Sequence, residues 1–192
     1  WWIAEVGRLS ASWDGAAIAW DLPWWALLAV VPVVGVVVLL IASRPVLAIG
    51  TDYPPDTLLP THVHRRAQFL YGMSGLMEVQ TQDGSWVIPP GSGVWIPAGK
   101  PHQVLMRGVS TRSLYIEPAQ PVRDTSQCQA LVVSPLLHHL LLATAHVPAL
   151  YETHGRDGHL IQLVLHELRS APSLALFAPL PNDPRLAELC RY

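Results

Sequence analysis

Four side chains that could bind one divalent metal ion stand in two short stretches of this chain. His62, His64 and Gln68 follow one another at close spacing, and His102 ends the later segment Ile-Pro-Ala-Gly-Lys-Pro-His. Because side chains on a strand alternate between two faces, positions 62, 64 and 68 would share one face of a strand. Neutral imidazoles with an amide oxygen suit Zn, Ni or Fe(II). The pattern predicts a metal centre in a β-domain, with a later strand bringing His102 opposite the others.

The same side chains also allow a pocket without metal. The set contains no carboxylate, so a bound cation would keep its full charge and favour an anionic ligand or hydroxide at an open position. Without a metal, the histidines would hydrogen-bond one another and a small molecule. The other histidines fall on predicted loops or solvated helix faces, and His138 and His139 diverge by about 100° on a helix. We therefore expect these others to be ordinary surface histidines.

Strands must position the candidate ligands. Residues 58–117 alternate short apolar runs with turn signals, which is typical of an all-β domain. We predict a short strand at 45–49 followed by a turn at 50–56, a first long strand at 62–71, and a return strand at 76–81. Short, evenly spaced strands favour a sandwich or a small barrel over a parallel sheet.

Helices follow the predicted strands. Ser134 is a suitable N-cap before Pro135, and the segment to Ala143 is rich in leucine. A second helix is predicted at 157–170, with leucine, isoleucine and valine on one face and His159, Gln162, His166 and Arg169 on the other. A further helix begins at Pro184 and has barely two turns before the last residue, which suggests that another domain follows.

Charge and cysteine content exclude some classes of function. The net charge is −2, and the twelve Lys and Arg residues are scattered, so these residues form no surface suited to nucleic acid. Cys128 and Cys190 form no CxxC pair, which argues against a disulfide framework or a thiolate zinc site.

The hydrophobic start of the chain resembles a membrane span. Residues 23–43 contain no charged side chain, and about 20 apolar residues cross a bilayer. Trp24 and Trp25 stand at one edge and Arg44 at the other, as expected for an anchor. The acidic, Trp-rich segment before it is unlike a cleavable signal peptide. The leader is a genuine anchor, a fusion remnant or an extension upstream of the true start.

The two histidine stretches together resemble a cupin barrel. The cupin pattern has a first motif of HxH, Glu or a substitute, and Gly, and a second motif of PxG followed by a spaced His. The residues that match are His62, His64, Gln68 and Gly75, then Pro97, Gly99 and His102. Gln stands where the pattern usually has Glu. The resemblance implies a double-stranded β-helix, or jelly roll, followed by two helices and a partial third: a mainly β fold with C-terminal α-helices.

More narrowly, residues 44–192 resemble the amino-terminal sensor domain of an AraC-type transcriptional regulator. The likeness is carried by these segments: HVHRRAQFLYGMSG, WVIPPGSGVWIPAGKPH, SLYIEP, VVSPLLHHLLL and PLPNDPRLAELC. It implies a leader at 1–43, a cupin barrel at 44–120, a helical dimerisation and linker region at 121–175, and a linker with the start of a helix-turn-helix domain at 176–192. The leader has no counterpart in such regulators, which favours an upstream extension.

The resemblance also implies how such a domain works. A small-molecule effector would bind at the barrel mouth, and the helices would pass the change to a partner in a homodimer, with Leu137 and Leu141 contributing to self-association. DNA would be bound only through the missing carboxyl-terminal domain, in the cytoplasm. The implied effector site comprises His62, His64, Arg66, Gln68, Tyr71, Trp95 and His102, with the three histidines and Gln68 as metal ligands.

Two other functions remain open from the sequence. A metal-dependent cupin enzyme, such as an oxygenase or isomerase, would use the same four ligands with an open coordination position. Such an enzyme would usually keep the Glu and needs no helix after a Pro-rich linker. A membrane-tethered sensor would require that residues 23–43 are a genuine anchor.

Overall fold

A computed structural model of the chain describes residues 43–120, 122–123, 126–175 and 177–178. The hydrophobic leader, apart from Ser43, and the predicted helix at 184–190 lie outside these residues. The described strands are β1 Val46–Asp52, β2 Thr57–His62, β3 Ala67–Gly72, β4 Leu76–Gln80, β5 Ser85–Ile88, β6 Ser92–Ile96, β7 His102–Arg107, β8 Ser110–Ile116, β9 Gln129–Val132, β10 Ser173–Leu174 and β11 Phe177–Ala178. The described helices are α1 Pro135–Ala143 and α2 Arg156–Ser170, with a 3₁₀ turn at Thr144–His146.

The strands form two antiparallel sheets. One has six strands in the order β1-β8-β3-β6-β9-β10, and the other has five in the order β11-β5-β4-β7-β2. Leu70 and Val94 of the larger sheet share one buried apolar cluster with Met77, Ile88 and Val104 of the smaller sheet. This interior cluster lies between the sheets. The predicted mainly β fold with C-terminal helices is confirmed.

A second apolar cluster covers the other face of the six-stranded sheet. Phe69 and Leu114 of this sheet are fully buried against the helix residues Leu141 and Val164. Close packing there depends on Gly93, because a Cβ at this position would lie 2.3 Å from the ring of Phe69. We call this set, which also holds Tyr71 and Trp95, the outer cluster.

The prediction of one long strand at 62–71 is wrong. The chain leaves the five-stranded sheet after His62 and joins the six-stranded sheet at Ala67, so residues 63–66 cross between the sheets. Two consecutive arginines lie in this crossing. Both Arg65 and Arg66 form ion pairs with Glu117 at the end of β8. These ion pairs hold the crossing in place. The alternation of apolar and polar residues along the local sequence does not indicate them, because Glu117 is distant in the chain.

Two further differences concern the ends of the predicted strand region. The predicted turn at 50–56 begins three residues too early, since β1 continues to Asp52 and pairs there with Ser110. The region at 121–175, expected to be helical, also supplies strand β9, which pairs with β6. Strand pairing across the sheet overrides the turn propensity of Gly50 and Thr51.

The predicted helices agree closely with the structure. Ser134 caps α1, and its Oγ accepts a hydrogen bond of 3.0 Å from the backbone N–H of Leu137. The second helix begins at Arg156, and its predicted polar face is exposed. Leu137 and Leu141 are buried within their own chain, so their side chains are not exposed to a partner, and their predicted contribution to self-association stays a prediction. Within the described residues, no helix has the length and apolarity needed to cross a bilayer.

Candidate metal-binding site

Strand pairing and one loop contact bring the three histidines together. On the antiparallel strands β2 and β7, His62 and His102 lie directly opposite each other. The loop after β2 carries His64, whose backbone carbonyl accepts a hydrogen bond of 2.9 Å from the N–H of Gly99. Ring centroids are 4.8 Å apart for His62 and His64, 4.3 Å for His62 and His102, and 5.4 Å for His64 and His102. The predicted convergence of these imidazoles is confirmed, although not through one strand face.

The turn before β7 explains why the second motif needs glycine. Gly99 has a φ of +73°, a left-handed conformation that side chains other than glycine rarely adopt. This conformation directs its N–H to the carbonyl of His64 and places the following residues so that His102 starts β7. Gly99 therefore joins the two motifs physically.

Hydrogen bonds to the backbone fix the tautomers of two histidines. Nδ1 of His62 lies 2.7 Å from the carbonyl oxygen of Pro60, and Nδ1 of His102 lies 2.9 Å from that of Lys100. A carbonyl only accepts, so each Nδ1 carries the hydrogen and each neutral ring keeps its lone pair on Nε2. The Nε2 atoms of His64 and His102 are buried without a hydrogen-bond partner among the described residues. Orphaned ring nitrogens that face neighbouring imidazoles are the arrangement that a metal ion requires.

Burial keeps two of the imidazoles neutral at physiological pH. Desolvation, with the neighbouring His62 and His102, lowers the pKa of His64 to about 4. Desolvation also lowers the pKa of His102 to about 4, although the hydrogen bond to Lys100 partly opposes this shift. Neutral imidazole is the form that ligates metals, so His64 and His102 need no deprotonation at pH 7.

The separations of the ring nitrogens suit a small divalent cation. One ligating nitrogen from each histidine lies within 4.8 Å of the other two. A tetrahedral zinc ion at about 2.0–2.1 Å from each nitrogen requires nitrogen atoms about 3.3 Å apart, so closing around it needs a movement of roughly 1 Å. Among the described residues, the cluster includes no Asp, Glu or Cys. A bound cation would keep its charge for an external anion.

A tyrosine, Tyr115, contacts both Gln68 and His64 and so connects Gln68 to the histidine cluster. Nε2 of Gln68 lies 3.3 Å from Ser113 Oγ and 3.4 Å from Tyr115 OH, and the ring of Tyr115 is 5.1 Å from that of His64. The Oε1 atom of Gln68 is buried without a partner among the described residues. The sequence analysis did not identify Ser113 and Tyr115 as site residues. Both lie in the predicted strand region at 58–117, and their spacing of two places them on one face.

The other predicted site residues lie apart from the histidine cluster. Nε of Arg66 forms an ion pair of 2.7 Å with Glu117. The hydroxyl of Tyr71 hydrogen-bonds Nδ1 of His138 at 2.6 Å, so His138 is not the ordinary surface residue that we predict from sequence. Tyr71 and Trp95 belong to the outer cluster. The expectation that Tyr71 and Trp95 line the barrel mouth is therefore corrected, because alternation along β3 and β6 turns both to the opposite face.

Comparison with known proteins agrees with this geometry. Residues 51–115 match the family model described as Cupin domain. The chain is also 29% identical over 141 residues to the HTH-type transcriptional regulator NimR of Escherichia coli (strain K12), a match that covers 73% of this chain and 50% of the regulator. The predicted resemblance to a cupin sensor domain is confirmed, and the chain spans half the length of this relative.

Solved structures resemble parts of the chain at low sequence identity. An apo variant of ToxT from Vibrio cholerae overlaps with a TM-score of 0.48 and 10% identity, over 64% of this chain and 53% of that one. A mutant of Bacillus subtilis oxalate decarboxylase overlaps with a TM-score of 0.36 and 19% identity, over 56% of this chain and 30% of the other.

Proposed function

We propose that the cupin domain is the effector-sensing part of a transcriptional regulator, and that a divalent metal ion bound by His62, His64 and His102 takes part in sensing. The observation that carries the metal proposal is the pair of buried Nε2 atoms, on His64 and His102, without partners among the described residues. The similarity to the HTH-type regulator NimR supports the regulatory role. We propose Gln68, through Oε1, as a further ligand.

The chemistry of this ligand set indicates what the metal would supply. Three neutral imidazoles and an amide leave the whole charge of Zn, Ni or Fe(II) uncompensated. An anionic group of the effector, or a hydroxide that the effector displaces, would neutralise it. Effector binding would then shift the populations of two arrangements of the domain.

The helices supply a candidate surface for a homodimer. Leu136 on α1 and Leu163 on α2 are 50% and 41% exposed. Leu136→Glu with Leu163→Glu should raise the dimer dissociation constant more than tenfold in sedimentation experiments, because charges would enter an apolar interface. The matched control is Leu58→Glu with Val87→Glu, two exposed apolar residues of the five-stranded sheet, and an equal effect of both pairs would contradict this surface. In this proposal DNA binding belongs to a carboxyl-terminal domain in the cytoplasm, and a membrane location depends on residues 23–43 acting as an anchor.

Metal analysis tests the proposed site directly. The full chain is stripped with a chelator, reloaded separately with Zn, Ni and Fe(II), desalted, and analysed for bound metal. We expect about one equivalent in the unchanged chain and less than a tenth in His64→Ala combined with His102→Ala. The exposed pair His159→Ala with His166→Ala is the matched control. Equal metal content in all three proteins would refute the site.

A metal-dependent enzyme is the second candidate function. Three histidines on one side of an ion leave coordination positions open to a substrate, and this arrangement serves catalysis as well as sensing. Turnover with Fe(II) or Mn(II) that His62→Ala abolishes would favour the enzyme. A ligand that binds the metal-loaded chain, is not chemically converted, and alters self-association would favour the sensor.

A further inference from the structure

A cavity of about 330 Å³ lies beside the outer cluster, apart from the histidines. Ala67 and Trp95, both members of that cluster, line it. The turn after β6 contributes Lys100, and the segment after β8 contributes Glu117 and Arg123. Its volume is at the lower end of the range typical of small-molecule pockets. The lining thus combines an aromatic wall with charged groups from two connecting segments.

The aromatic wall carries an unused hydrogen-bond donor. Trp95 is only 3% exposed, and its indole Nε1 is buried without a partner among the described residues. A buried N–H that bonds neither protein nor solvent is costly, and most such groups in native proteins are paired. Gly93 and the ring of Phe69 pack on the same sheet face, so the indole is firmly placed. Because Trp95 lines the cavity, a ligand there would lie beside this donor.

Arg123 places a positive charge at the same cavity, and among the described residues no carboxylate pairs with it. Arg123 donates from Nε to Oε1 of Gln129 at 2.9 Å, and from Nη1 to the backbone oxygens of Leu168 and Ala171 at 3.0 and 2.9 Å. All three acceptors are neutral, and the helix end offsets only about half a charge. Desolvation by burial lowers the pKa of Arg123.

The acidic residue in the lining does not cancel this charge. Glu117 forms ion pairs with both Arg65 and Arg66, so its negative charge is already offset. Lys100 pairs with Asp83. The residues that line the cavity and their described charged partners therefore leave an excess of positive charge, which favours an anion.

We propose that this cavity is a second ligand site, which binds a small organic carboxylate. One carboxylate oxygen accepts from Nε1 of Trp95, and Arg123 balances the charge. The apolar part of the ligand lies against Ala67 and the indole. Arg123 also donates hydrogen bonds to the backbone oxygens of Leu168, in the last turn of α2, and Ala171. A ligand that contacts Arg123 would therefore affect the junction between α2 and β10.

Titration with benzoate tests the site through the indole N–H itself. The probe is added to the full, ¹⁵N-labelled chain in chelator, and ¹⁵N–¹H spectra are recorded. The peak of Trp95, assigned by its absence from Trp95→Phe, should move downfield with a dissociation constant of about 1 mM, as expected for so small a ligand. Trp95→Phe keeps the aromatic wall and should weaken binding about tenfold, measured by saturation-transfer difference on benzoate. Trp86→Phe, the same change at another buried indole, should change the dissociation constant for benzoate by less than twofold.

A neutral probe and a second variant test the charge. Benzamide should bind at least fivefold more weakly than benzoate, and Arg123→Gln should remove this preference, a result that does not depend on the folding of Trp95→Phe. A static Trp95 peak, equal effects of the two tryptophan variants, or equal binding of benzamide and benzoate would overturn the proposal. So would binding that appears only after zinc is added and disappears in His102→Ala, because benzoate would then occupy the metal site. Failure of the metal site leaves these measurements unaffected.

Discussion

The two faces of the six-stranded sheet carry different chemistry although the same strands build both. On β3, Leu70 points into the interior cluster, whereas Phe69 and Tyr71 point into the outer cluster beneath the helices. Facing the inner side across the barrel, His64 of the crossing and His102 of β7 carry ring nitrogens that have no hydrogen-bond partner among the described residues. On the outer face, Tyr71 is already bonded to His138 of α1. The inner end is therefore suited to a metal ion, while the outer face attaches the helices and borders the proposed carboxylate cavity.

The largest expected effect comes from the outer face. Leu141 is fully buried between α1 and the sheet, so Leu141→Ala should lower the free energy of unfolding by about 2–5 kcal/mol. Urea unfolding followed by circular dichroism measures this loss. The control is Leu163→Ala on the exposed side of α2, for which a change within about 0.5 kcal/mol is expected. Similar small losses for both would mean that the helices contribute little to stability.

The inner face should make the metal-free chain sensitive to acid. The pKa values of His64 and His102 are about 4 in the folded chain, below the ordinary value of 6.5. The unfolded chain then binds more protons between pH 6.5 and pH 4, so stability should fall as the pH drops through this window. The loss from His102 is at most about 3 kcal/mol, because one pKa unit corresponds to about 1.4 kcal/mol.

Urea unfolding at several pH values, in chelator, measures this dependence. His102→Gln should reduce the slope between pH 6.5 and pH 4, whereas His159→Gln on the exposed face of α2 should leave it unchanged. An equal slope in all three proteins would mean that the histidine cluster is not the source of the acid sensitivity.

Short-range patterns were sufficient to predict the helices and the two cupin motifs. Ser134 before Pro135 predicts the start of α1, because capping depends on residues within one turn. The turn that contains Gly99 is likewise a local feature, with a left-handed glycine. The convergence of the histidines was also predicted, although the reasoning placed His62 and Gln68 on one strand, whereas they belong to different sheets.

Contacts between distant residues could not be predicted from the sequence. The crossing at 63–66 depends on Glu117, which lies about fifty positions later and pairs with both arginines. Tyr71 lies three positions after Gln68, so alternation along the strand places it on the opposite face, and Trp95 shares that face because it pairs with Phe69. The assignment of Tyr71 and Trp95 to the binding site failed for this reason.

Loss of the crossing contact should have a smaller effect than loss of core packing. Glu117→Gln removes the partner of Arg66, whose side chain is 9% exposed, and should cost about 2 kcal/mol in urea unfolding, between the values for buried and surface ion pairs. Asp56→Asn breaks the exposed pair with Arg107 and is the matched control, with an expected change within about 0.5 kcal/mol. Equal costs for these two substitutions would mean that burial does not strengthen the pair at the crossing.

The smallest expected effect tests whether the two faces are independent. Tyr71→Phe removes the hydroxyl that bonds His138, and the loss of one such hydrogen bond should lower the free energy of unfolding by about 0.5–1.5 kcal/mol. His139→Ala, on the exposed side of α1, is the control for a change near the same helix turn. If the faces are independent, metal content should stay at its original value in Tyr71→Phe. A fall in metal content would show that packing beneath the helices reaches the histidines through β3, and the sheet would then couple the two faces rather than separate them.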